Sequence, residues 1–196
     1  MNFINFNKTA LILALTAGVL SACGGGGGDS DTTSTGSTSS SSSSAASSLA
    51  PDFPNLQACI ANTWVMGGEQ IRRGLDAVGD GVTSVSGNNT SVFSADGSYR
   101  GTPAYTINFT RGGTSATSQY SGTALGTWAV DGDRLIITRT SSSVTVTNTV
   151  GGVTTSYTSP TGSPSTVKVI SCKPTTLTYD QTLSTGTVVR IVLVSG

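Results

Sequence analysis

The chain past Pro51 is predicted to fold as an all-β domain of antiparallel strands. Short runs rich in Val, Ile, Thr and Tyr alternate with Gly, Asp and Asn. Asp-Gly and Gly-Gly pairs sit between such runs at hairpin spacing. A single stretch, Gly68 to Val78, carries apolar residues at helical spacing, namely Ile71, Leu75 and Val78. About 145 residues remain beyond Pro51, enough for one domain with a real core and too few for two.

Taken in order, the first hairpin runs Ser91, Val92, Phe93, Ser94, turns through Ala95, Asp96, Gly97 and returns through Ser98, Tyr99, Arg100. With Gly97 left-handed, Phe93 and Tyr99 face each other. Ala104 to Phe109 and Ser118 to Thr123 supply middle strands. Thr127 to Val130 lead through Asp131 and Gly132 into Asp133 to Ile137, and a two-residue turn at Asp131-Gly132 sets Trp128 opposite Leu135. Val144 to Val150 and Val153 to Ser159, joined at Gly151-Gly152, form a third hairpin whose Thr and Ser faces suit solvent. Final strands fall at Thr166 to Cys172, Leu177 to Asp180 and Thr187 to Val194, giving roughly eight to ten strands. The helical stretch at Gly68 to Val78 suits a lid or an edge loop.

Charged residues are 10% of the chain, ten basic against ten acidic, so there is neither a nucleic-acid footprint nor a basic membrane patch. Histidine is absent, which removes the commonest general base and the commonest metal ligand. No Ser-His-Asp or Cys-His arrangement and no nucleotide fingerprint exists. Catalysis would have to rest on carboxylates such as Glu69, Asp76 and Asp80 near the helix, or Asp131 and Asp133 in the hairpin. Asp96 and Asp131 precede glycines as turn residues do, and Asp76 to Gly81 lacks calcium-loop spacing. Arg72 and Arg73 read as a solvated pair or an anion contact. No catalytic residue, metal site or cofactor is expected.

The N-terminus carries one positive charge, Lys8, before an apolar stretch from Ala10 to Leu20. That is shorter than the roughly 20 residues of a membrane span and reads as a signal segment. Leu20, Ser21, Ala22 and Cys23 resemble the lipobox of bacterial lipoproteins, which implies cleavage after residue 22 and acyl chains, palmitate among them, on Cys23. Two or three chains on one residue make release from the membrane slow. Gly24 in place of Asp favours the outer membrane under that resemblance, on its periplasmic or surface face. Residues 23–50 are nearly all Gly, Ser, Thr and Ala, a flexible tether reaching a few tens of ångströms at about 5 to 6 Å per square root of residue number. The domain proper spans 51–196.

With Cys23 acylated, Cys59 and Cys172 remain in a compartment where disulfides persist, and pairing is the expectation. The alternatives are two free thiols or a redox pair, the latter without Cys-x-x-Cys proximity. A bridge tying the start of the domain to a point near its end suits a closed barrel.

The whole pattern resembles the lipocalin-like domains of bacterial envelope proteins. Leu56 to Trp64 resembles the approach to their first strand, with Asn62 where the motif has Gly. Phe93 to Tyr99 resembles the following Phe, Asp-Gly, Tyr hairpin. Gly126, Thr127, Trp128, Asp131, Gly132 and Leu135 resemble the central Gly-x-Trp hairpin, and Leu177 to Tyr179 a late Leu-x-Tyr strand. The resemblance implies an up-and-down barrel of about eight strands. Arg190 would then cover Trp64 as a basic residue does in true lipocalins. Such an interior is either filled by side chains or holds one small ligand. Trp64, Phe93, Tyr99 and Trp128, with Tyr105, Phe109, Tyr120 and Tyr179, are candidates to line it, as core or as ligand contacts. The implied function is a non-catalytic binding module for a small apolar molecule. The alternative is a structural, protein-interacting or inhibitor-like envelope lipoprotein with a filled barrel.

Overall fold

A computed structural model describes residues 55–77, 81–111 and 113–196. The expected signal segment, Cys23, the expected tether and residues 51–54 lie outside the described residues, as do Val78 at the end of the expected helical stretch and residues 79, 80 and 112. In chain order the elements are α1 (Leu56–Ile60), β1 (Thr63–Gly67), α2 (Gly68–Asp76), β2 (Val82–Phe93), β3 (Ser98–Arg111), β4 (Thr114–Ser121), β5 (Ala124–Asp131), β6 (Arg134–Ser142), β7 (Thr145–Val150), β8 (Val153–Thr158), β9 (Ser165–Lys173), β10 (Thr176–Thr182) and β11 (Val188–Ser195).

Eight of these strands close a ring in the order β2-β1-β11-β10-β9-β6-β5-β3, with β3 returning to β2, and every pairing is antiparallel. Ring order follows chain order once β4, β7 and β8 are set aside, so the fold is a closed up-and-down barrel. The three remaining strands extend the sheet from β3 in the order β4-β7-β8.

That extension is made by strands that outrun the barrel. The lower part of β3, Ser98 to Gly101, pairs with β5, whereas Tyr105 to Arg111 pairs with β4. The β4 and β5 segments are one bent course, as are β6 and β7, and both bend at the same level. There the Ser143 amide donates to the Thr123 carbonyl at 2.8 Å, and Gly122, with φ +115°, sits where a Cβ would strike the Ser143 carbonyl. Alternation along β3 continues through the bend. Tyr99, Gly101, Pro103, Tyr105, Ile107 and Phe109 are all buried, so the face that lines the barrel also becomes the inner face of the extension.

Two helices attach at opposite ends. The Asn55 side chain caps α1 by accepting from the Ala58 amide, and the helix buries Leu56 and Ile60. This helix was not anticipated, because five residues are too few for a visible helical period. The anticipated helix is present as α2, which packs against β2, β11 and β1 and buries Ile71 and Leu75.

The first hairpin has the expected form: Gly97 has φ +84°, Phe93 pairs with Tyr99, and their rings lie 5.2 Å apart. In the second hairpin Trp128 pairs with Ile137, not with Leu135. The two turn residues are Gly132 and Asp133, with Asp131 pairing Arg134. An Asp131-Gly132 turn would need Asp131 left-handed, and among the described residues none other than glycine has positive φ, while Gly132 at φ +59° takes the first turn position at no steric cost. The shift is by two residues, so Trp128, Leu135 and Ile137 still face inward. The third hairpin turns at Gly151-Gly152 as read, yet only β8 is fully exposed. Val144 and Val146 of its other arm are completely buried in the extension's inner face.

Candidate functional site

The interior is built from alternate residues of the eight staves. At the hairpin end, Phe93 meets Trp128 edge-on with centroids 5.6 Å apart, and the Trp128 indole N–H donates to the Ser94 carbonyl at 2.9 Å. Trp64 is fully buried in β1, and its indole N–H donates to the Ile60 carbonyl of α1 at 2.9 Å. The disulfide Cys59–Cys172, with Cα atoms 6.1 Å apart, ties α1 to β9. Helix α1 is therefore a plug held by an indole, a bridge and two apolar side chains. Arg190 does not cover Trp64. It lies exposed with Nε 2.8 Å from Oδ1 of Asp180, its partner across the β10–β11 pair, because its position in β11 faces outward.

The four proposed lining residues, Trp64, Phe93, Tyr99 and Trp128, thus converge in the barrel, and all four are core. One cavity of the interior is bounded by Met66, Ser91, Phe93, Leu135, Ile137, Val167, Tyr179 and Leu193. It leaves ≈ 10 Å³ in which the centre of a water molecule can sit, about the room one water needs.

Above this apolar layer is a polar one that sequence reading did not single out. Arg139 follows Leu135 and Ile137 on the inward face of β6 and is 5% exposed. Its Nη2 donates to the Pro160 carbonyl at 2.7 Å, while Nε and Nη1 find no hydrogen-bond partner. Desolvation lowers its pKa, and the neighbouring Tyr99 offsets this only in part. The Tyr99 side chain runs along its strand so that its hydroxyl lies over Gly101, in the space a Cβ would take. Burial raises the Tyr99 pKa against the Ser91 hydroxyl and the Arg139 charge, and burial with Tyr99 nearby pushes Tyr179 well above its ordinary value. Among the described residues the Tyr179 hydroxyl has no hydrogen-bond partner, and the Tyr99 hydroxyl has only that of Ser91 beside it. A buried guanidinium and two buried hydroxyls form a donor set suited to an anionic group. The clue was period-two parity, which places position 139 inward with 135 and 137.

The remaining candidates are spread over the surface. Glu69 pairs with Arg72 and Arg73, and Arg72 also pairs with Asp76, all on the exposed face of α2. Hydrogen bonding and charge from Arg72 hold the Glu69 carboxyl below its usual range. Asp133 meets Lys168 at 3.6 Å beside the β5–β6 turn, and Asp96 accepts from the Ser98 amide within its own turn. Asp80 and Cys23 lie outside the described residues. Among the described residues no group of three potential metal ligands occurs, and no helix is long and apolar enough to cross a membrane. No protein-family model matches the chain, and no curated protein matches it in sequence.

Proposed function

We propose that this chain is a cell-envelope lipoprotein, anchored through acyl chains on Cys23 with the outer membrane favoured, whose barrel is a non-catalytic module that acts through its outer surface. The observation that carries the choice of surface over interior is an interior packed with buried aromatic and aliphatic side chains, in which the cavity bounded by Met66, Phe93 and Tyr179 has ≈ 10 Å³, against the roughly 300 to 1,000 Å³ of ordinary small-molecule sites. A lipocalin-like frame filled by Trp64, Phe93, Tyr99, Trp128 and Tyr179 is a rigid support for its exposed edges and loops.

The carrier reading keeps one observation in its favour, the donors of Arg139 and Tyr179 inside the barrel that find no partner among the described residues. A ligand recognised there would carry an anionic head. Native mass spectrometry of the full protein purified from its host separates the two readings. The expected mass is that of residues 23–196 plus acyl chains and nothing else. A co-purifying small acid would overturn the surface reading, and an unacylated Cys23 would overturn the anchor.

A further inference from the structure

The extension is a five-stranded sheet with two edges. At one edge, the part of β2 that outruns β1 is covered by α2, where Gly68 lies so close that a Cβ there would stand 2.8 Å from the Val85 carbonyl. At the other edge, β8 ends the sheet, and all six of its residues are exposed. Proteins protect such an edge with charge, proline or a bulge. The strand Val153, Thr154, Thr155, Ser156, Tyr157, Thr158 has none of these.

Which backbone groups face the open side follows from the ladder. The Ser159 amide donates to the Val144 carbonyl at 2.7 Å, in line with the β7–β8 register in which Val146 faces Tyr157 and Val150 faces Val153. Odd-numbered residues therefore spend their amides and carbonyls on β7. Thr154, Ser156 and Thr158 direct theirs outward.

We propose that β8 is a self-pairing edge, and that its partner is β8 of a second copy of this chain, antiparallel about a two-fold axis through Thr155. In that register Thr154 and Ser156 exchange hydrogen bonds with the partner's Ser156 and Thr154, as parity requires. Val153 falls opposite the partner's Tyr157 in a non-hydrogen-bonded pair, where side chains approach most closely, and the symmetry makes this contact twice. These two are the exposed apolar side chains of the strand, at 69% and 45%. Moving the axis to Ser156 keeps hydrogen-bond parity but separates Val153 from Tyr157. No charge in β8 opposes pairing with itself, and the isologous contact closes at two chains. Six residues bury far less than the roughly 800 Å² per partner of a stable interface, so the contact is weak and reversible, suited to chains gathered on one membrane. The inference deepens the surface reading above by naming a partner, and its test is independent of the mass measurement that tests that reading.

The test is disulfide mapping of full chains with one cysteine introduced, made in the host and oxidised mildly in the envelope. T155C places two cysteines at the axis with Cα atoms about 4.5 Å apart, within disulfide range. Two cysteines from T154C would lie beyond that range, on the opposite face. The expected result is about ten-fold more 155–155 linked peptide than 154–154. Ser156→Pro in the T155C background removes an outward amide and should abolish the linkage, whereas Ser156→Ala, which loses only the hydroxyl contact with Thr147 of β7, should keep it. Equal linkage at 154, 155 and an exposed control such as V188C would overturn the proposal. So would linkage surviving Ser156→Pro, or T155C linking to another protein in place of itself.

Discussion

The Trp128 indole N–H donates to the carbonyl of Ser94, 34 residues earlier, while the ring stands edge-on to Phe93. One side chain thus locks the β2–β3 turn to the β5–β6 hairpin. Trp128→Phe keeps an aromatic ring but removes the donor and part of the volume. We expect it to lower unfolding free energy by about 2 to 3 kcal/mol, read from urea denaturation, with the fold retained.

The bridge between Cys59 and Cys172 spans 113 residues. Constraining an unfolded loop of that length stabilises the folded state by about 4 to 5 kcal/mol in the chain-entropy model. The double variant C59S/C172S should therefore unfold at much lower urea, and reductant should shift the wild type while leaving the variant unmoved. A loss below about 2 kcal/mol would mean that the plug helix is held mainly by its packing and by the Trp64 indole.

Arg139 presents a buried cation that none of the ion pairs among the described residues neutralises. Replacing such a group by an apolar one of similar length relieves desolvation. Arg139→Met should raise stability by about 1 to 2 kcal/mol, since the carbonyl it releases belongs to Pro160, an exposed residue in a loop that can turn it to water. A fall in stability on denaturation would instead reveal an anionic partner for the guanidinium in the native protein.

Asp180 is held below its ordinary pKa, first by the hydrogen bond from Arg190 and then by the charges of Arg190 and Lys168. A depressed carboxylate contributes stability that is fully present above its unfolded pKa and is lost as pH falls through the folded value. The stability gap between wild type and Asp180→Asn should therefore be full at neutral pH and close on acidification from about pH 4 downward. Urea midpoints measured across that range check it. A gap independent of pH would show that the pair does not form in solution.

Much of the strand plan was legible because it is local chemistry. Gly97, Gly132 and the Gly151-Gly152 pair mark turns that only glycine enters freely, and the flanking Val, Ile, Tyr and Trp alternate with the period of a half-buried sheet. Even so, the register of the second hairpin was not legible, since Asp131-Gly132 and Gly132-Asp133 are both plausible turns and only the left-handed position of Gly132 separates them.

Local chemistry is enough for the β class, the hairpin order, the inward parity of Trp64, Phe93, Tyr99 and Trp128, and the pair of cysteines available to staple the domain. The rest depends on the folded chain, because each part is a meeting of residues remote in sequence. Closure of β3 on β2 and of β11 on β1 sets the diameter, and at that diameter the inward side chains of eight staves pack against one another as core. The bend shared by Gly122 and Ser143 carries three strands past the barrel. That excursion buries Val146 in a Thr-rich hairpin and leaves β8 as an edge that no other described strand covers. Local propensity specifies which residues form strands, but which strands find neighbours depends on how the sheet closes.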